Sequence, residues 1–165
     1  MTINEISVIV IFLISFLVIA SGIQTLINKS KHESIIKYLN TVECLKFGSK
    51  NCYYSAFGLK KDYPSYPCNL EIYLTHNEVF FLGKMNFPYI FKTYEIPFSL
   101  SKNPLETKNK VSIKRVFRPT EVFLNPNNFN VDFIDNLTIQ TKISFQVSLN
   151  HPDNWEKLKV VGQWI

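Results

Sequence analysis

Three cysteines and one histidine are the residues of this chain whose types could hold a metal ion. Cys44, Cys52, Cys68 and His76 are separated by seven, fifteen and seven residues, whereas zinc ligands usually come in pairs about two to four residues apart. An odd number of cysteines without close spacing is also a poor disulfide framework. We therefore expect no metal site and no cofactor, and the cysteines should be small core or surface residues.

Catalytic motifs are likewise missing from the sequence. It contains no GxSxG, no HExxH and no Gly-rich phosphate loop, and its five glycines are isolated. His32 and His151 fall at predicted helix starts and His76 at a predicted turn, where solvated or capping imidazoles are usual. The sequence therefore does not predict an enzyme, although an active site assembled from distant residues stays open as an alternative.

The net charge of +5 is concentrated in the segment from Lys102 to Arg118. Its cations are Lys102, Lys108, Lys110, Lys114, Arg115 and Arg118. Its single acidic residue is Glu106, and the rest of the chain is neutral. Nucleic-acid surfaces interleave such cations with exposed aromatic residues, but this segment has only Phe117, so we expect no nucleic-acid partner.

Two interpretations of this basic segment remain. Anionic lipid headgroups, or a protein at the membrane, would suit it, because each cation close to an anionic bilayer contributes about 1 kcal/mol. Alternatively, SKNPLETKNK is a solvated, mobile loop, and the strand after it is an edge strand whose cations discourage aggregation.

Aromatic residues beside turns form a second candidate surface. Tyr66 lies in PSYP, and Phe87 and Tyr89 lie in MNFPYIFKTY. Aromatic side chains at turns can enter a membrane interface or hold a peptide. Most of the 14 Phe and 8 Tyr residues should simply fill the core.

The first element that must position these residues is an apolar segment, Ile6 to Ile27. It has 22 residues without a charge, and about 20 helical residues cross a hydrocarbon core. No Lys or Arg precedes Lys29, whereas a cleavable signal begins with a positive region. The sequence therefore predicts an uncleaved, single-pass membrane anchor. The alternative is a signal peptide cut after Gly22, which would release a secreted or periplasmic β-domain.

The flanking charges predict the orientation of the anchor. Lys29, Lys31 and Lys37 follow it and no cation precedes it, so by the positive-inside rule the C-terminal domain should be cytoplasmic. Residues 29–51 should form a juxtamembrane helix and a linker that loosens between Leu45 and Asn51. Ile35, Ile36 and Leu39 recur at helical spacing, so this helix either packs on its own domain or continues the membrane helix as a stalk.

Residues 52–165 predict a β-domain closed by a C-terminal helix. Alternating apolar and polar residues indicate antiparallel strands with one buried face. These strands are Leu70–Leu74, Val79–Leu82, Tyr89–Phe98, Val111–Phe117, Glu121–Leu124, Phe129–Phe133 and Leu137–Leu149. After them, Trp155, Leu158, Val161 and Ile165 recur three and four residues apart, as in an amphipathic helix.

This arrangement resembles the pleckstrin-homology-like (PH-like) superfold, which includes the GRAM-like and small bacterial PH domains. The matching pieces are LEIYLTHNEVFFLG as an early hairpin, KTYEIPFSL as the next strand, LTIQTKISFQVSL as the last long strand, and Trp155 on the closing helix. The resemblance implies about seven antiparallel strands in two crossed sheets, although other helix-closed sandwiches or barrels share the pattern.

The resemblance also implies a binding or scaffolding role for a protein or lipid partner. It does not imply phosphoinositide binding, because the nearest basic pair, Lys60-Lys61, is not followed by a Lys-x-Arg on a neighbouring strand. The sequence therefore predicts a single-pass membrane protein. Residues 1–28 would be its N-terminal transmembrane helix, and a PH-like domain would follow in the cytoplasm.

Overall fold

The structure is a computed structural model. It describes residues 3–49, 52–57, 69–87, 91–94, 97–111, 113, 115–125, 128–135, 141–148 and 153–165. The helices are α1 (Ile3–Leu39), α2 (Pro104–Lys110) and α3 (Asp153–Leu158), and a 3₁₀ helix spans Lys159–Trp164. The strands are β1 (Leu45–Ser49), β2 (Cys52–Phe57), β3 (Asn69–Leu74), β4 (Glu78–Phe87), β5 (Phe91–Tyr94), β6 (Phe98–Ser101), β7 (Val116–Phe117), β8 (Pro119–Asn125), β9 (Asn128–Asp135) and β10 (Thr141–Ser148).

Helix α1 combines the two roles between which the sequence left a choice. It runs for 37 residues without a break, and it is long and apolar enough to cross a membrane. Its second half carries a buried stripe made of Asn28, His32, Ile35 and Leu39. Spacings of four, three and four place these residues on one helix face. The predicted boundary after residue 28 therefore lies inside one continuous helix.

The described strands form two sheets. One has the order β1-β3-β4-β6-β7, with β5 also paired to β4, and the other has the order β2-β10-β9-β8. All pairs are antiparallel except β6 with β7. The prediction of a strand-rich domain after an N-terminal helix is confirmed. The predicted number of about seven antiparallel strands is too low, because the described residues contain ten strands in two sheets.

Several local predictions were wrong. The predicted linker after Leu45 contains β1, which pairs with β3 from Leu45↔Leu74 to Ser49↔Leu70. The single strand predicted from Tyr89 is two strands, β5 and β6, on the same side of the ten-residue β4. Pro97 precedes β6, and proline lacks the N–H that a continuous ladder needs.

The strand predicted from Val111 to Phe117 is reduced to the two residues of β7. Val111 and Ile113 are instead buried against α1 and the outer face of the six-stranded sheet. Their apolar alternation reflects burial in this second cluster rather than pairing in a strand.

Apolar residues of the β3–β4 hairpin are buried on both of its faces. Ile72, Val79 and Phe81 face the second sheet in the main core. Phe80 and Leu82 lie on the other face, in a cluster with the second half of α1. Fully burying one such side chain stabilises the folded state by about 1.5 to 3 kcal/mol. The hairpin therefore packs against the helix on one face and against the second sheet on the other.

The C-terminal segment differs from the single amphipathic helix that the sequence predicts. The short helix α3 changes into a 3₁₀ helix, and Leu158, Val161 and Trp164 are buried in the main core. Residues three apart lie on the same side of a 3₁₀ helix, so this geometry buries Trp164 and leaves Ile165 exposed. The side chain of Trp155 lies outside the described residues.

Candidate functional site

Helix α1 and strand β4 run in opposite directions and give the domain two distinct ends. At one end, the Tyr38 hydroxyl donates to Glu78 Oε2 at 3.2 Å. At the other end, Asn28 Nδ2 donates to the carbonyl oxygen of Tyr94 at 2.8 Å, and Tyr94 pairs with Lys84 of β4. We call the end at Tyr94 the proximal end, because it is next to the apolar half of α1. The end at Glu78 is the distal end.

A group of buried polar side chains lies at the distal end. The Thr107 hydroxyl donates to Glu78 Oε1 at 2.6 Å, and Ser101 Oγ lies 2.8 Å from Thr107 Oγ1. Glu78, Ser101 and Thr107 are all buried. We call these three residues and Tyr38 the Glu78 network. It joins α1, the start of β4, the end of β6 and α2.

The Glu78 network positions helices rather than presenting a reactive group. Both oxygens of the Glu78 carboxylate accept hydrogen bonds, one from Thr107 and one from Tyr38. Burial of Tyr38, together with the charge of Glu78, raises the pKa of the Tyr38 hydroxyl, so it stays a neutral donor at physiological pH. A buried carboxylate satisfied in this way fixes the arrangement of its partners.

Three of the six cations of the predicted basic segment lie on or next to helix α2, whose Thr107 belongs to this network. The residues Pro104–Lys110 form helix α2, so the interpretation of SKNPLETKNK as a solvated, mobile loop was wrong about the loop, although its lysines are exposed. Proline at the first position of a helix is favourable because its missing N–H would have no partner there. Thr107 faces inward, while Lys102, Lys108 and Lys110 are exposed.

An apolar residue lies among these cations. Leu105 is 79% exposed, and we define Lys102, Leu105, Lys108 and Lys110 as the α2 surface. Lys110 Nζ is 2.6 Å from Glu106 Oε1, and its hydrogen bond lowers the pKa of the Glu106 carboxyl. Lys102 and Lys108 thus carry most of the available positive charge.

The other predicted cations are more separated. Arg115 is partly buried, and its carbonyl oxygen accepts a hydrogen bond from the Ser99 amide. Arg118 is exposed, and its Nε donates to the carbonyl oxygen of Trp164 at 3.1 Å, so it ties the C-terminal segment to the end of β7. Lys114 lies outside the described residues.

The predicted aromatic surface is described only in part. Phe87 is the last residue of β4 and pairs with Phe91, at the proximal end of the sheet. Its side chain is outside the described part of the structure, as are Tyr66 and Tyr89. Phe87 is therefore at the opposite end of β4 from the α2 surface.

The histidines and cysteines do not converge where the structure describes them. In the described residues no three His, Cys, Asp or Glu side chains are grouped as metal ligands would be. Cys44 Sγ donates weakly to the carbonyl oxygen of Leu39. His76 is exposed, but His32 is buried, with its ring 5.2 Å from that of Tyr94. The expectation of a solvated His32 was wrong, because α1 continues and places that residue in its buried stripe. Cys68 and His151 are outside the described ranges.

Two buried polar residues were missed from the sequence although each carries a signal. Glu78 alternates with Phe80 and Leu82 and therefore shares their buried strand face. Asn28 is four residues before His32 and seven before Ile35, which places it on the stripe that packs against the domain.

Comparison with known proteins adds no family to these observations. The sequence matches no protein-family model, and no curated protein is significantly similar to it.

Proposed function

We propose that this chain is a membrane-anchored binding module, in which α1 is both the anchor and a rigid post for the β-domain. The observation that carries the proposal is the continuity of α1 from an exposed apolar half into a stripe buried in the domain. A cytoplasmic domain would then present its distal end to a partner in the aqueous phase.

The exposure of the apolar half supports the anchor. Every residue from Ile6 to Gln24 is exposed in the structure, and Phe12 is 71% exposed. Removing one large apolar side chain from water contributes about 1.5 to 3 kcal/mol. A bilayer supplies that environment for the whole segment, whereas the domain covers only the second half of the helix.

The position of the α2 surface favours a protein partner over the lipid of the same bilayer. Tyr38 comes eleven residues after Ile27, which is about 16 Å along the helix axis. The headgroup layer extends only about 5 to 7 Å beyond the hydrocarbon, and the Debye length is about 8 Å in physiological salt. Lys102 and Lys108 at the distal end are therefore roughly 10 Å beyond the headgroups, which is more than one Debye length and weakens their attraction to the bilayer.

The chemistry of the α2 surface suits an acidic protein. Exposed lysines on either side of Leu105 provide complementary charge around one apolar contact, which is the usual organisation of a small binding surface. In the proposal, the Glu78 network holds α2 in place and leaves these side chains free to contact the partner. The proposed role is thus recognition, with no chemical step.

We further propose a PH-like domain. Two facing sheets, with a C-terminal helical segment buried in the core they share, support this assignment. The parallel pair β6–β7, whose strands are connected by α2, departs from the antiparallel strands that the resemblance implies. Lys29, Lys31 and Lys37 support a cytoplasmic location for the domain.

Two measurements test the anchor and its orientation. A protease added to intact cells should leave the domain uncut and should digest it once the cells are opened. Digestion in intact cells would contradict the orientation, and a mature protein that begins at Ile23 would contradict the anchor.

Charge reversal tests the binding surface. We expect Lys108→Glu combined with Leu105→Ser to abolish co-purification of an acidic protein from detergent-solubilised membranes. The matched control is Lys157→Glu, which reverses another exposed helical lysine and should leave the partner bound. Equal recovery with both variants would show that the α2 surface does not bind the partner.

A further inference from the structure

Lys84 lies at the level where helix α1 leaves its apolar segment. It pairs with Tyr94 across the β4–β5 ladder, and the carbonyl oxygen of Tyr94 accepts the hydrogen bond from Asn28. Paired residues of an antiparallel ladder lie side by side, so Lys84, Tyr94 and Asn28 share one level along α1. Asn28 follows directly after Ile27. The backbone of Lys84 is therefore next to the hydrocarbon boundary of a bilayer that α1 crosses.

A chain of amide groups marks the same boundary on the helix. Gln24 is exposed, and its Nε2 donates to Asn28 Oδ1 at 3.1 Å, while Asn28 Nδ2 donates to the Tyr94 carbonyl. Gln24 is one turn before Asn28, so both amides lie on the helix face that carries β5. Polar groups are costly in hydrocarbon. On this side of α1, the polar layer of the bilayer therefore begins beside β5.

The side chain of Lys84 carries its charge from this boundary into the headgroup layer. Phe80, Leu82 and Lys84 alternate along β4, so Lys84 shares the sheet face that packs on α1. Its Nζ lies 3.1 Å from Glu71 Oε1, and Glu71 pairs with Leu82, which is farther from the membrane. Two strand residues span about 7 Å, and the headgroup layer is about 5 to 7 Å thick. The ammonium group of Lys84 therefore lies within that layer.

Among the described residues, the charges around Lys84 do not cancel. Lys46 Nζ also approaches Glu71 Oε1, at 3.6 Å, so two ammonium groups share one carboxylate oxygen. The other oxygen, Oε2, accepts a hydrogen bond from the Tyr73 hydroxyl. One carboxylate against two lysines leaves one positive charge in excess. The ammonium of Lys84 has three N–H donors and its side chain is 33% exposed, so a phosphate oxygen can reach it.

We propose that Lys84 binds the phosphate group of an anionic phospholipid in the leaflet next to the domain. The inference rests on the proposed anchor, because the anchor holds Lys84 at the level of the headgroups. In this site Lys46 compensates the charge of Glu71, and Lys84 pairs with the phosphate. The lysines of the α2 surface have the charge without the position, whereas Lys84 has both. The domain is then held to the bilayer by a lipid contact as well as by α1.

Nuclear magnetic resonance of the full chain in lipid nanodiscs tests this site. Lysine side chains are methylated with ¹³C-formaldehyde and a reducing agent, which preserves their charge, and Lys84→Arg identifies the signal of Lys84. The nanodiscs contain phosphatidylcholine with increasing fractions of phosphatidylglycerol. Lys108 is the control, because it is exposed at the distal end.

We expect the Lys84 signal to shift with phosphatidylglycerol while the Lys108 signal stays in place. One cation close to an anionic bilayer prefers it by about fivefold, so the shift should be half complete when about one lipid in six is phosphatidylglycerol. Glu71→Gln should raise this preference, because it removes the carboxylate that competes with the phosphate. A Lys84–Glu71 pair that serves only to stabilise the fold predicts no such gain.

A separate readout of the anchor distinguishes the failure of this site from the failure of the anchor. In a variant whose native cysteines are replaced by serine, the thiol of Val18→Cys is exposed to a water-soluble maleimide in the same nanodiscs. A shielded thiol, together with a Lys84 signal that shifts no more than that of Lys108, would overturn this inference and leave the anchor standing. A reactive thiol would overturn both.

The unmodified chain provides a second measurement if methylation or a variant disturbs the fold. Phosphatidylglycerol with a photoreactive headgroup should cross-link to β3 or β4 in preference to phosphatidylcholine that carries the same group. Cross-links confined to α1 would contradict the site.

Discussion

Removing the hydroxyl of Thr107 should destabilise the domain and release helix α2. Thr107→Val preserves the shape of the side chain and its β-branching, so it creates no cavity and changes helix propensity little. It removes the 2.6 Å hydrogen bond to the buried Glu78 carboxylate and the contact with Ser101. A hydrogen bond to a charged group contributes about 1.5 to 3 kcal/mol, and we expect a loss of about 2 to 3 kcal/mol in the free energy of unfolding.

Urea unfolding of the full chain in detergent micelles measures this loss. Trp164 is buried in the main core, so tryptophan fluorescence should follow the unfolding of the domain. With an m-value of about 1.5 kcal/mol per molar, the midpoint should fall by about 1.5 M urea. Amide hydrogens of α2 should also exchange faster under native conditions, because the helix loses the bond that holds its buried side.

Thr41→Val is the matched control for this prediction. It makes the same chemical change at an exposed residue, whose hydroxyl donates to the carbonyl oxygen of Tyr38, and surface changes usually stay within about 0.5 kcal/mol. Tyr38→Phe should fall between the two at about 1 kcal/mol, because its bond to Glu78 is longer and only partly buried. Equal midpoints for Thr107→Val and Thr41→Val would refute the role assigned to the Glu78 network.

Three further predictions concern the helix and the second sheet. Leu39→Ala should cost about 2 to 5 kcal/mol through the cavity that it leaves, and limited proteolysis should then cut α1 near Lys37. Asn28→Ala removes the bond to the Tyr94 carbonyl and should cost about 1 kcal/mol, measured as faster amide exchange in β5 with unchanged exchange in β9. Burial alone would raise the pKa of the Asp132 carboxyl, but hydrogen bonds from Lys142 and Ser144 outweigh it and hold that pKa below its ordinary value. This stabilisation is therefore present above the unfolded pKa of about 3.9 and is lost as the pH falls through the folded pKa, so urea midpoints of Asp132→Asn should be lower at pH 7 and should decline less on acidification.

The sequence predicted the hairpins well because strand alternation is a local property. The alternation of Leu70, Ile72 and Leu74 predicts the buried face of β3, and that of Phe145 and Val147 predicts the buried face of β10; all five residues are buried. Period-two patterning survives in any antiparallel sheet with one buried face, so no knowledge of distant partners was needed.

The distal end was beyond sequence reasoning because its partners are far apart along the chain. Thr107 and Glu78 are 29 residues apart, and Tyr38 is 40 residues from Glu78. The parallel pairing of β6 with β7 likewise depends on how α2, which connects the two strands in the chain, packs against both of them. Charge composition identified Lys102 and Lys108, but only the packing of α1 on β4 shows which end of the domain they occupy.

The unbroken helix α1 also fixes the direction in which the domain faces around the membrane normal. Each helical residue adds a rotation of about 100° as well as a rise of about 1.5 Å. One residue inserted between Ile27 and Asn28 would turn the domain by roughly a quarter of a revolution, whereas four would nearly restore its heading and lift it about 6 Å. The number of residues at this junction thus sets the rotation of the domain about the helix axis. Only insertions or deletions close to a whole number of helical turns would keep the same side of the domain toward a neighbour in the membrane.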